Sequence, residues 1–210
     1  MNSTMEHLTD LLGKDLKLCV VGTAVTESSA NRQAYYANPG NKFWDTLHKT
    51  GITATKEPIK AIDYMSLKEE HNVGLTDLNQ VEFGCDDKLK SKNFRVKKFW
   101  DKMKDCKPKV ICFNGKKAAA YALNGDSNTK AVEYGVQPYD NRFINSIVFV
   151  ACSTSPTAIR WWKEAYWEEL AGYVHANNIP ARKLKQKGYP DAIWYALNER
   201  NLVKSINTSI

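Results

Sequence analysis

The sequence predicts an α/β domain on a parallel or mostly parallel sheet with helices on both sides, and two observations predict it. Apolar runs of strand length recur at 16–22, 110–113 and 147–152. Each passes through a loop of small and polar residues into a stretch whose apolar positions repeat at helical spacing. Strand–loop–helix units in succession close as a parallel sheet covered on both faces.

Taken in order, residues 8–12 read as the end of a short helix and Leu16-Lys-Leu-Cys-Val-Val-Gly22 as the first strand. A long loop then runs to an amphipathic helix at 42–50, opened by Asn41, Phe43 and Trp44 and ending near Gly51. A helical stretch follows around 59–70, and Gly74-Leu-Thr-Asp-Leu78 reads as a short strand or strand edge. The helix at 93–105 carries Phe94, Val96, Phe99, Trp100 and Met103 among its lysines, and Pro108 precedes the strand at 110–113. Asn114-Gly115 turns the chain into a helix at 116–123. The strand at 147–152 leads through Ser153-Thr-Ser-Pro156 into a helix at 158–175. Beyond Asn178 a basic linker is expected at 179–190. A capped helix at 191–205, with Ile193, Trp194, Leu197 and Leu202 as its apolar positions, is expected to pack back on the domain. The expected division is therefore 1–178 and 179–210.

With 210 residues, 43% of them hydrophobic, the chain can bury one core but is short for two. No apolar run is long enough to span a bilayer, and Met1-Asn-Ser-Thr-Met-Glu-His7 lacks the charged and apolar regions of a signal peptide, so a cytoplasmic or nuclear protein is expected. The five cysteines form no Cys-x-x-Cys pair, and Cys19, Cys112 and Cys152 fall in apolar runs, which favours small buried hydrophobes over disulfides or a metal cluster. The four histidines, His7, His48, His71 and His175, form no spaced ligand set.

Net charge is +7, with its excess clustered between Lys88 and Lys109 and between Arg182 and Lys187. Such clusters track polyanions, although lysine-rich helices are also commonly only solvated faces.

The loop after the first strand reads as a site. Ligands of open α/β sheets sit at the carboxyl ends of strands. Gly22 admits close backbone approach there, Ser28 and Ser29 offer hydroxyls, and Tyr35 and Tyr36 offer flat faces for a base.

Four motifs carry a family resemblance in order and spacing. They are Gly22 to Ala30 followed by Tyr35-Tyr-Ala-Asn-Pro-Gly-Asn-Lys-Phe-Trp44; Gly74-Leu-Thr-Asp-Leu78; Phe113-Asn-Gly-Lys116; and Ser153-Thr-Ser-Pro156. Over 16–172 the chain resembles the uracil-DNA glycosylase superfamily, most of all its mismatch-specific uracil/thymine and hypoxanthine branches. The resemblance implies a three-layer α/β/α sandwich whose strand ends hold an extrahelical base. It implies DNA as partner, a duplex with a flipped base, with no membrane, no cofactor and no metal, and a monomer associated with the nucleoid or in a nucleus. Carried over by position, Tyr36 should stack on the base, and the backbone at Thr23 and Ala24 should meet its polar edge. Asn41 should read the base or support catalysis, and Ser29, Lys116, Ser153 and Ser155 should hold phosphates. Two positions depart from the family pattern. Ala24 stands where the mismatch-specific enzymes carry a catalytic Asn, and Cys152 stands where a Pro usually precedes the last motif.

Cutting a base from deoxyribose requires an extrahelical base, stabilisation of the departing base and one water held near the anomeric carbon. An Asn carbonyl can hold that water by orientation alone, so Asn41 is a candidate water holder, with Glu27 second and Asp77 more distant. Asn41 also fits the N-cap of its helix. Ser153, Thr154 and Ser155 precede a helix N-terminus, a position that suits phosphate or simple capping. Ile159 or Arg160 is expected to wedge into the stack, leaving at least one neighbouring Trp for packing.

Three functions follow. A monofunctional DNA glycosylase would excise a deaminated or modified base by hydrolysis, since the loop has no obvious lysine nucleophile. A glycosylase directed at bulky 5-substituted cytosine in viral DNA would serve antiviral defence. A catalytically inactive lesion-binding protein would use the same fold without cutting.

Overall fold

The computed structural model describes residues 8–143, 145–176 and 181–198. Five strands form one sheet: β1 (Leu18–Gly22), β2 (Val73–Asp77), β3 (Val110–Asn114), β4 (Gly135–Val136) and β5 (Ile147–Ala151). Their order is β2-β1-β3-β5-β4, with β2, β1, β3 and β5 parallel and β4 antiparallel at one edge. Every residue of the four parallel strands is buried, which is why β1, β3 and β5 read as continuous apolar runs rather than as alternation. The register sets Gly22 beside Asp77 and Asn114 beside Ala151, so the strands end level and offer one shared edge.

Among the described residues, seven α-helices have defined bounds. They are α1 (Glu27–Asn31), α2 (Phe43–Lys49), α3 (Ser66–His71), α4 (Val96–Cys106), α5 (Lys116–Asn124), α6 (Ala165–His175) and α7 (Ala181–Lys185). In α4 the spacing of Phe99, Trp100, Met103 and Cys106 puts all four on the buried side, each large side chain contributing roughly 1.5–3 kcal/mol of burial. Lys97, Lys98 and Lys104 face solvent. Lys102 turns inward to Asp10, and Lys109 is buried with its Nζ on the Ala176 carbonyl at 2.6 Å. The basic run is thus divided between solvent and internal contacts.

Several expectations need correction. Residues 8–12 are not helical: Leu11 exchanges both backbone bonds with Leu75, at 2.9 Å each, and covers the edge of β2. The loop before α2 contains α1, capped by the Thr26 hydroxyl. The helix expected at 158–175 is two pieces, a 3-10 helix (Pro156–Trp161) and α6. Trp162 between them is extended, and the Cys152 thiol donates to the Trp161 carbonyl at 3.3 Å. No glycine or proline marks that break, which a contact from the end of β5 fixes. The stretch expected as a linker contains α7, with Leu184 buried. Residues 191–198 are helical, with Ile193 and Leu197 buried. The Tyr189 hydroxyl accepts the Val148 amide of β5 at 3.1 Å, and the Lys187 carbonyl accepts the Tyr139 amide at 2.7 Å. Leu202, Ser205, His7 and residues 177–180 lie outside the described residues.

Candidate active site

The level carboxyl ends of β1, β2 and β3 form the floor of the candidate site. A Cβ on Gly22 would lie 2.2 Å from Asp77 Oδ1 and 3.3 Å from the Tyr36 hydroxyl. The glycine is therefore what admits the Asp77 carboxyl to the strand end. Tyr36 has φ +53°, the left-handed region, where a bulky side chain is held only by its surroundings. Its neighbours hold it: the Ser29 hydroxyl accepts the Ala37 amide at 3.1 Å, and the Trp44 indole donates to the Tyr35 carbonyl at 3.2 Å. The Tyr36 ring stacks on Phe43 at 3.9 Å and 26°, and Phe43 meets Trp44 and Trp167 edge-on. Burial, then the charge of Asp77, pushes the Tyr36 phenol well above its usual range, and the Asn114 amide works against that rise.

Asp77 is 6% exposed, and its Oδ2 is buried without a hydrogen-bond partner among the described residues. Burial first and Asp10 second push its carboxyl up to about 7, with Asp86 adding and Lys102 opposing. The Tyr35 hydroxyl is likewise buried and unpartnered. Asp10, by contrast, accepts from Thr76 at 2.7 Å, Gln80 at 2.6 Å and Lys102 at 2.5 Å.

Asn114, at the end of β3, clips the last loop. Its Nδ2 donates to the Thr154 hydroxyl and its Oδ1 accepts the Thr154 amide, both at 2.9 Å. The Thr154 carbonyl in turn accepts the Lys42 amide at 3.0 Å. A Cβ on Gly115 would lie 3.1 Å from Ser153 Cβ, and one on Gly40 would lie 3.1 Å from Pro156 Cγ. Three of the four sequence motifs thus converge here, and the Gly22–Asp77 register brings the fourth to the same edge.

The residues singled out from sequence are distributed as follows. Thr23 donates its hydroxyl to Asp86, and its carbonyl accepts the Asn79 amide at 2.8 Å. Ala24 is half-buried against the core. The Asn41 Oδ1 accepts the Phe43 amide at 3.0 Å from one position before the N-cap of α2, which is Lys42 and makes no side-chain capping bond, so the N-cap expected at Asn41 falls to its neighbour. Glu27 stands exposed in the first turn of α1, with no contact to this cluster among the described residues. Ser29 and Thr154 are turned inward and engaged, whereas Ser153 and Ser155 are half-buried. Lys116 begins α5 with its Nζ 4.7 Å from the centre of the Tyr134 ring. Ile159 and Trp161 are each 55% exposed, with the Arg160 guanidinium 4.5 Å from the Trp161 ring centre. Trp167 and the half-buried Trp162 do the packing instead.

Sequence reading underrated Asp77 and missed Asn114 as the clip. The available signal was alike for both: a polar residue at the last position of a buried strand.

The Uracil DNA glycosylase superfamily matches residues 9–171. The chain belongs to the uracil DNA glycosylase superfamily. Among its relatives, the hypoxanthine DNA glycosylase of Methanosarcina acetivorans is 28% identical over 120 residues, covering 53% of this chain and 71% of that protein. That of Methanosarcina barkeri is 27% identical over 119 residues, covering 53% and 71%. A candidate uracil DNA glycosylase from Methanosarcina acetivorans, solved by solution NMR, superposes with a TM-score of 0.57 at 21% identity, covering 82% of this chain and 99% of its own. At that identity the likeness speaks for the fold alone. Among the described residues no helix is long and apolar enough to cross a membrane.

Proposed function

We propose that this superfamily member is a monofunctional DNA glycosylase that takes up an extrahelical base at the ends of β1, β2 and β3 and hydrolyses its N-glycosidic bond, leaving an abasic site. The observation that carries this reading is Tyr36: a bulky ring held in a left-handed backbone at the sheet edge, with Phe43 supporting it at 3.9 Å. Strain of that kind persists where a site over-determines it, and the half-buried ring has the shape to stack on a base. Base–aromatic stacking is worth about 1–3 kcal/mol.

Asn41 holds the attacking water. The Phe43 amide occupies one lone pair of its Oδ1 and fixes the side chain, and a carbonyl oxygen has a second lone pair to offer. Glu27 is the other candidate for that role. Lys116, Ser153 and Ser155 grip phosphates, and the exposed run Ile159-Arg160-Trp161 enters the stack the base has left. The names carried by the two Methanosarcina relatives favour a deaminated base, hypoxanthine first. Ala24 supports a second reading, a non-cutting lesion reader, because its methyl group cannot orient water.

The test is abasic-site cleavage by hot alkali of labelled duplexes carrying hypoxanthine, uracil, thymine opposite guanine, or a bulky 5-substituted cytosine. Wild type is run beside Asn41→Ala and Glu27→Ala. The proposal expects one duplex to be cut and one variant to abolish the cut. Tight binding with no product from any duplex would replace it with the reader.

A further inference from the structure

We propose that Asp77 is a catalytic residue that hydrogen-bonds the extrahelical base and passes a proton to one of its ring nitrogens as the glycosidic bond breaks. The inference rests on the glycosylase reading and narrows its substrate class. It favours bases with a free ring-nitrogen acceptor, such as a 6-oxopurine or a cytosine derivative, over uracil and thymine, which have none once attached to the sugar.

Two carboxyls at this edge of the sheet make the argument by contrast. Asp10 takes three donors, Thr76, Gln80 and Lys102, and is fully used by the fold. Asp77 closes β2, is 6% exposed, and has an Oδ2 that is buried without a partner among the described residues. An unpaired polar atom costs free energy in a buried place. Gly22 also gives up its side chain to the same carboxyl, since a Cβ there would fall 2.2 Å from Oδ1. The Tyr35 hydroxyl, the other unpartnered atom here, has Asp77 as its leading charged neighbour.

The charged and titratable groups facing Asp77 are Asp10 from the N-terminal segment, Asp86 from the segment after β2, Lys102 from α4, and Tyr35 and Tyr36 from the loop after β1. The sole cation among them is committed to Asp10 and Gln80, at 2.5 and 3.0 Å. A buried carboxyl in such company keeps its proton near neutrality.

The step balances without a co-reactant. The Asp77 O–H bond breaks as the base gains an N–H bond. The C1′–N bond breaks with its electron pair passing into the base ring, which leaves neutral. Water adds its oxygen to C1′, and the proton it releases restores the Asp77 acid.

The experiment is single-turnover cleavage of hypoxanthine and uracil duplexes from about pH 5 to about pH 9, by wild type, Asp77→Asn and Lys102→Gln, with binding to an abasic duplex as a second readout. Wild type should cut the hypoxanthine duplex at a constant rate below pH 7 and lose about tenfold per pH unit above it. Asp77→Asn should bind as wild type does and cut that duplex about 10²–10⁴-fold more slowly with no such limb. Any cleavage of the uracil duplex should fall far less. Lys102→Gln should move the limb to higher pH, which keeps the test open if Asp77→Asn does not fold. Cleavage by Asp77→Asn within about threefold of wild type with the same profile, or a level wild-type profile, overturns the inference and leaves the glycosylase reading standing. No abasic product from wild type on these duplexes or on the thymine and 5-substituted cytosine duplexes overturns both.

Discussion

Replacing Asp77 by Asn should stabilise the fold above neutral pH, because the native state there carries a buried carboxylate that it holds poorly. An ordinary aspartate titrates at 3.8, and this one is raised to about 7 by burial and by Asp10. Between those values the folded chain keeps a proton that the unfolded chain has released, so stability falls as pH rises through the window. Below it both states are protonated and the effect vanishes; above it the full cost applies, at most about 4 kcal/mol at ~1.4 kcal/mol per pH unit. Asn is neutral throughout and lacks this slope. Integrated between about pH 5 and about pH 8, the gain of Asp77→Asn over wild type should grow by about 2–3 kcal/mol. Urea unfolding of both proteins at the two pH values measures it, and other titrating groups cancel in the double difference. An equal gain at both pH values, or a smaller gain at the higher one, would refute the reasoning by showing that Asp77 is ionised and well solvated in the folded protein.

Other consequences follow from single contacts. Gly22→Ala places a methyl group where the Asp77 carboxyl lies, 2.2 Å from Oδ1; cleavage should fall about 100-fold, since a group displaced by about 1 Å costs that much, while circular dichroism stays native. Thr154→Val leaves the Asn114 amide buried without its acceptor, and chemical denaturation should show a loss of about 1–3 kcal/mol. Lys116→Gln should weaken duplex binding and reduce the slope of log affinity against log salt by about 1, if its ammonium meets a phosphate; an unchanged slope would assign it to the Tyr134 ring alone. Of the five cysteines, Cys85 is exposed and the other four are buried, so a thiol reagent should titrate one quickly in the native protein and the rest only in denaturant.

The succession of strands and helices around a mostly parallel sheet was legible in the sequence because parallel strands buried on both faces are apolar along their length. For β1, β3 and β5 that local requirement leaves little else for the residues to be. The motif spacing likewise pointed to the superfamily, since the Tyr35 to Trp44 segment has to be written out in one stretch of chain. What the sequence could not contain is what distant segments impose on one another. β4 has only two residues and exists because it pairs with β5. The helix expected from 158 to 175 breaks at Trp162 through a contact from Cys152, although its own residues continue the helical pattern. Asn41 reads from sequence as a water holder or an N-cap, and the tertiary structure gives the N-cap to Lys42 while the Asn41 Oδ1 accepts the Phe43 amide and keeps a second lone pair. Asp77 and Asp10 are the same residue type at the same sheet edge. One is satisfied by Thr76, Gln80 and Lys102 and the other is left with a buried, unpartnered oxygen. That difference in proton affinity and availability is a property of burial and of neighbours brought from elsewhere in the chain, so only the tertiary structure decided it.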